Sequence, residues 1–163
     1  MSPDVFRPDK GGEPLEAERL CLLALAVSVP FVRRAVAKCL SAWGLDDLVL
    51  PCTQVVTELA ANSVAAADAE RTSKPHGRAS GTFTVHLSRT PTRLFIEVGD
   101  ASSEPPRPQT AAEQDENGRG LILIEALADC WGWYPGDPEG KVVYAAWNLP
   151  GVPTAARPTE ARQ

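Results

Sequence analysis

The chain has 163 residues, 44% of them hydrophobic, enough for one compact core and too few for two ordinary domains. A net charge of -5 and a pI near 5.1 argue against a general nucleic-acid binder, whose basic residues would form a face or stripe rather than lie scattered as they do here. The most apolar run, Leu20 to Val32, is too short to span a bilayer and follows acidic Asp9, Glu13, Glu16 and Glu18, unlike a signal peptide, so a cytoplasmic protein without membrane contact is expected.

Residues 1–17 mix Pro, Gly and charge without periodicity and read as a flexible arm. Arg19 to Val29, rich in Leu, Ala and Val, reads as an opening strand. Ser28 and Pro30 supply the start of a helix from about Phe31 to Trp43, stopped by Gly44. Asp46-Asp47 open a second helical pattern, with an apolar stripe through Leu48, Val49, Cys52, Val55, Val56, Leu59 and Val64 to about Ala67. Pro51 either kinks this helix or marks its true start. Asp68 to Gly81 is polar and reads as a connection.

Thr82 to Ser88 and Arg93 to Gly99 alternate as strands, and the short Thr90-Pro91-Thr92 link favours an antiparallel hairpin. Ala101 to Asn117 is polar, with Pro105, Pro106 and Pro108 and no periodicity; a lid over a ligand and an ordinary disordered insertion are equally compatible with it. Leu121, Ile122, Ile124, Leu127 and Ala128 place a third helix. A strand at Trp131 to Tyr134, a turn at Pro135-Gly136-Asp137 and a last strand from Lys141 to Leu149 follow, before a second flexible tail over residues 151–163. The order βααββαββ over residues 18–150 predicts an α/β (α+β) two-layer sandwich: a mixed, mainly antiparallel sheet of about five strands with three main helices on one face.

Cys21, Cys39, Cys52 and Cys130 lie in apolar contexts without Cys-x-x-Cys spacing and read as buried, reduced thiols. Trp43, Trp131, Trp133 and Trp147 read as packing residues. Arg33-Arg34 fit a solvated helix face better than a docking site for an acidic partner. His76 falls in a polar loop and His86 in an alternating strand, neither with a ligand partner evident in the sequence.

Three short segments carry chemistry. Glu58 and Asn62, four apart on a helix, share a face and offer a carboxylate beside an amide, suited to a metal-bound phosphate and a nearby hydroxyl. Asp100 ends a strand, where its carboxylate can accept from a base amino group. Gly118 and Gly120, opening a helix, let backbone N–H groups approach phosphate oxygens at a positive helix end. Each alone is an ordinary polar face, turn or helix boundary. Their order, each in a suitable context, indicates a nucleotide site.

With these motifs the chain resembles the superfamily of gyrase, heat-shock chaperone, histidine kinase and mismatch-repair ATPases, with its Bergerat nucleotide fold, and within it the bacterial anti-sigma-factor serine/threonine kinases. The likeness rests on Glu58-Leu-Ala-Ala-Asn62-Ser-Val64, Val98-Gly-Asp100-Ala-Ser102-Ser-Glu-Pro105 and Gly118-Arg-Gly-Leu121. Flanking matches are Val29-Pro30, Trp43-Gly44-Leu45, Ala128-Asp129-Cys-Trp131 and Gly140-Lys141-Val-Val143. The resemblance implies ATP and Mg²⁺ as cofactors, Asn62 at the metal, Glu58 as catalytic base and Asp100 on the adenine amino group. It implies Ser102 beside the base, and Gly118, Arg119, Gly120 and Leu121 along the phosphates.

The partners so implied are a sigma factor and an anti-sigma antagonist, with no direct nucleic-acid contact and with room for a homodimer. Two positions depart from the pattern: Ala65 and Ala66 replace basic residues common after the first motif, and Val142 stands near where many members carry a Thr that assists base recognition. These departures keep a second function open, a nucleotide-sensing module that binds partners without phosphoryl transfer. A third is a scaffold that binds no nucleotide.

Overall fold

The computed structural model describes residues 4–5, 7–73, 81–106 and 116–150, and for residues 4–5 and 116–119 the backbone alone. Strand β1 (Asp4–Val5) is followed by β2 (Glu16–Leu23), helix α1 (Ser28–Ala42), helix α2 (Val49–Ser73), β3 (Thr82–Arg89), β4 (Arg93–Asp100), helix α3 (Glu116–Leu127), β5 (Cys130–Pro135) and β6 (Lys141–Asn148). A short 3₁₀ turn at Asp46–Leu48 leads into α2. The sheet order is β1-β5-β6-β4-β3-β2. All neighbours are antiparallel except β1, which adds a two-residue parallel edge to β5. The predicted α+β sandwich of five antiparallel strands and three helices is present, with this short sixth strand in addition.

The helices form because their buried positions recur at helical spacing. In α1, Ser28, Val32, Val36 and Leu40 line one face four residues apart and are buried, whereas Arg33 and Arg34 are exposed. The helix closes at Gly44, φ +73°, where Leu45 N–H donates to Leu40 C=O and Gly44 N–H to Ser41 C=O, satisfying carbonyls that the helix end leaves open. Helix α2 is long and apolar enough by composition to cross a membrane, but its apolar residues Val55, Val56, Leu59, Ala60 and Val64 are buried in the core between the helices and the sheet. Each of these side chains removes about 1.5–3 kcal/mol worth of apolar surface from water, Ala60 less.

Several boundaries differ from the sequence expectation, and Pro51 takes one of its two expected roles. The opening strand ends at Leu23, not Val29, because Ala24–Val27 turn: Leu25 N–H donates to Leu23 C=O and Ser28 N–H to Leu25 C=O. Ser28 is the first residue of α1 and donates its hydroxyl to Leu23 C=O instead of capping the helix. Pro51 sits in the first turn of α2, where its missing N–H costs nothing, so it marks the start rather than a kink. Helix α2 also continues past Ala67 to Ser73, supported by an Arg71 to Asp68 ion pair and by Arg71 donating to Ala24 C=O at 3.3 Å.

Trp147 is buried and donates its indole N–H to Leu127 C=O at 2.8 Å; Trp43, Trp131 and Trp133 pack partly buried against the core. The cysteine expectation holds only in part. None of the four is in a disulfide, and Cys52 is buried, its pKa pushed up by desolvation, but Cys21 and Cys130 are exposed on the sheet. Alternation places every second strand residue outside the core, a fact their apolar neighbours hide.

Candidate functional site

Strand β4 and helix α2 build the site. On β4, Val98 and Asp100 point to the helix side of the sheet; on α2, Leu59, Asn62, Ser63 and Ala66 follow the i, i+3, i+4, i+7 spacing that keeps them on one face. The two faces enclose a cavity of about 220 Å³ that also reaches Ser102, Glu104, Leu121, Lys141 and Val143. Pairing sets Val98 opposite Val143, so two strands contribute an apolar wall that Leu59 and Leu121 extend. A flat aromatic base has apolar faces and a polar edge, and this cavity matches it with apolar walls and one nearly buried carboxylate, the other, Glu104, being exposed.

The nearly buried carboxylate is Asp100, one-tenth exposed. Its Oδ1 accepts from Lys141 Nζ at 2.9 Å and from the Ser102 backbone N–H at 3.0 Å, and its Oδ2 accepts from the Ser63 hydroxyl at 2.8 Å. A carboxylate has about four lone-pair sites. Three are filled, and the remaining one, on Oδ2, can accept a hydrogen from a ligand in the cavity.

Glu58 lies one turn before Asn62. Its Oε2 would stand 2.8 Å from a Cβ placed on Gly120, so only glycine lets α3 cross α2 this closely without moving the carboxylate. The first and third sequence motifs therefore meet in space. Glu58 is half-buried and has no hydrogen-bond or ion-pair partner among the described residues, which leaves its oxygens available to take a proton. Asn62 lines the cavity between Glu58 and Asp100 in sequence, and its side-chain carbonyl is an oxygen ligand of the kind Mg²⁺ prefers.

Helix α3 begins at Glu116, so Gly118 to Leu121 lie within it rather than in a turn before it. The backbone N–H of Gly118 is in the first turn of α3 and has no partner inside the helix, and that of Arg119 is the first to enter the ladder. The Gly120 N–H falls one position later, in the regular ladder. Of Arg119 only the backbone is described. The stretch Ala101 to Asn117, read as a lid or a disordered insertion, is described over 101–106, where Ser102, Glu104, Pro105 and Pro106 line the cavity, and at Glu116 and Asn117, which already belong to α3; residues 107–115 lie outside the described residues.

The register shows which side of the sheet the departure noted near Val142 occupies. Val142 pairs with Gly99 and faces the other side of the sheet, and Val143 faces the cavity. A one-residue offset in a strand reverses the face. Two residues of the site carry no sequence signal of their own: Ser63, which lies outside the i, i+4 pair of Glu58 and Asn62, and Lys141, whose pairing with Asp100 needs the β4–β6 register.

A family model described as a histidine kinase-like ATPase domain matches residues 22–147, well over half of the chain. The chain belongs to this family. Its ATP-binding character agrees with the geometry: an apolar slot for a base, an acceptor at its end, and an Asn and a Glu beside the open helix N–H groups. A search of curated proteins gave no match to this chain.

Proposed function

We propose that this histidine kinase-like ATPase domain is an anti-sigma factor with serine/threonine kinase activity, which holds a sigma factor and is released by phosphorylating or docking an anti-sigma antagonist. The observation that carries the chemical part is the unpartnered Glu58 carboxylate against Gly120, next to the helix end suited to phosphates. In this reading Glu58 accepts the proton of the antagonist's serine hydroxyl. The serine oxygen then bonds to the γ-phosphorus as the bond from that phosphorus to the β,γ-bridging oxygen breaks, and the electron pair leaves with ADP. Asn62 would hold Mg²⁺, which supplies charge neutralisation on the phosphate oxygens. Asp100 selects adenine, because guanine offers a carbonyl where adenine offers an amino group.

One observation favours a second reading. Ala65 and Ala66 line the cavity where relatives carry basic residues, and Lys141, the cation on that wall, is committed to Asp100. A nucleotide-sensing module that reshapes a partner surface without transfer follows if the phosphates are held loosely. Radiolabelled transfer from ATP to purified candidate antagonists, beside calorimetric ATP titration, separates the two. Glu58→Ala should abolish transfer and keep most ATP affinity, whereas Asn62→Ala should damage Mg²⁺-dependent binding and transfer together. Tight ATP binding with no labelled antagonist selects the sensing module.

A further inference from the structure

The face of the sheet away from the helices carries a second cavity, of about 560 Å³, that phosphoryl transfer does not use. Its size falls within the range of small-molecule sites, about 300–1,000 Å³. The pleat supplies its floor: Arg19 pairs with His86, His86 pairs with Glu97, and Thr84 pairs with Gly99, all facing outward. Gly99 keeps that floor open, since a Cβ there would stand 2.8 Å from Thr84 Oγ1.

The lining holds three cations on a chain of net charge -5, Arg7, Lys10 and Arg19, and the imidazole of His86, against Glu97 and Asp137. Lys10 and His86 are already used. Glu97 Oε2 accepts from Lys10 Nζ at 2.5 Å and faces His86 Nδ1 at 3.0 Å, while Oε1 accepts from the Tyr134 hydroxyl at 2.8 Å. Arg7 and Arg19 have no carboxylate partner among the described residues: Arg7 hydrogen-bonds Tyr134 and lies over its ring, 5.5 Å from the centroid, which takes only part of a five-donor guanidinium, and Arg19 is exposed. Two guanidinium groups without a carboxylate partner, over a floor whose buried anion among the described residues, Glu97, is satisfied, form a receptor for negative charge.

We propose that this cavity is a second ligand site, which binds a small organic anion through phosphate or carboxylate groups held by Arg7 and Arg19. Glu97 holds Lys10, and with it the segment bearing Arg7, against the sheet, so the wall of the site is fixed before the ligand arrives. A lone inorganic ion would leave most of the volume empty, which is why the ligand is an organic molecule.

The test is an amide-resolved NMR titration of the full chain with glycerol 3-phosphate and, separately, citrate, which distinguish a phosphate from a carboxylate ligand. Saturable shifts at Thr84, His86, Gly99 and Gly136 with either anion are expected. The Arg7→Ala/Arg19→Ala double variant should raise the dissociation constant about tenfold or more, the loss expected when charge-assisted hydrogen bonds are removed. Both arginines are exposed, and Arg19→Glu, with a dispersed spectrum as proof of folding, gives an independent second reading. No saturable shift with either anion, shifts confined to Asn62, Asp100 and Leu121, or a dissociation constant unchanged in both variants would overturn the site. Shifts produced only by an acidic peptide would overturn it in favour of a protein segment.

Discussion

Glu97 and Asp100 stand three residues apart on β4 and face opposite sides of the sheet. Both are nearly buried, with side chains 6% and 10% exposed, and each receives three hydrogen-bond donors. Their partners differ in origin. Glu97 collects Lys10 from the chain before β2, His86 from β3 and Tyr134 from β5, so it ties three separate segments together. Asp100 collects Ser63, Lys141 and its own turn, and keeps an open lone pair toward a cavity. Burial of a carboxylate thus does not mark a ligand site. What marks it is where the unused acceptor points.

The chemistry of the two faces follows. Burial alone would raise the Glu97 pKa, but hydrogen bonds from His86, Lys10 and Tyr134 outweigh it and hold the carboxyl at about 2. Tyr134 moves the other way, pushed up first by burial and then by the Glu97 charge beside it. Glu97 is therefore charged throughout the neutral range and serves structure.

Removing the staple should have the largest effect. Glu97→Ala leaves Lys10 and Tyr134 without their partner, and losing one member of a buried pair costs about 3–5 kcal/mol. Urea unfolding should show this loss while ATP affinity stays within about twofold by calorimetry, a factor worth only ~0.4 kcal/mol. A fall in affinity as large as that of an Asp100 variant would mean that the two faces are not separable.

Acid should act on the same group. Its folded pKa lies below the unfolded value of 4.5, so the stabilisation is complete above pH 4.5 and disappears as pH falls toward 2. The change amounts to about 3 kcal/mol at most. Chemical denaturation across that window should show a shallower pH slope for Glu97→Gln than for wild type. Equal slopes would place the acid sensitivity in other carboxylates.

On the opposite face, Asp100→Asn should weaken ATP binding by about 1–3 kcal/mol and narrow the preference for ATP over GTP, because the amide can donate where the carboxylate only accepts. Unchanged ATP affinity would remove Asp100 from base recognition. The smallest effect on stability belongs to Gly120→Ala. The new Cβ would meet Glu58 Oε2 at 2.8 Å, and the flexible carboxylate yields more readily than the backbone. Helix propensity then favours the variant by up to ~1 kcal/mol, while under the proposed kinase function phosphoryl transfer should fall, because Glu58 is displaced from its place against Gly120. A transfer rate equal to wild type would show that the position of Glu58 does not matter to the reaction.

Much of this was legible in the sequence, and the reason is periodicity. Helices α1 and α2, the β3–β4 hairpin and the β5–β6 pair each repeat apolar residues at their own spacing. Glu58, Asn62 and Asp100 were legible because their neighbours reproduce motifs in order. The packing of Arg7 and Lys10 on the sheet carried no such signal, since β1 is two residues long and the chain from Arg7 to Pro14 has no repeat. The partnership of His86 with Glu97 was latent: a hairpin turning at residues 90–92 sets them opposite each other, but only once the register is counted out.

By itself the sequence determined the layer architecture and the superfamily, and pointed to Glu58, Asn62 and Asp100 as candidates for the site, because local propensity, hydrophobic spacing and short motifs act over a few neighbouring residues. Tertiary structure decided the rest. It chose Val143 over Val142 for the nucleotide cavity, brought Ser63 and Lys141 to Asp100, set Glu58 beneath Gly120, and gathered Arg7, Lys10 and Arg19 on the far face. Each of those outcomes depends on strand register and on which face of a pleated sheet a side chain takes, and these are fixed by contacts between segments far apart in the chain.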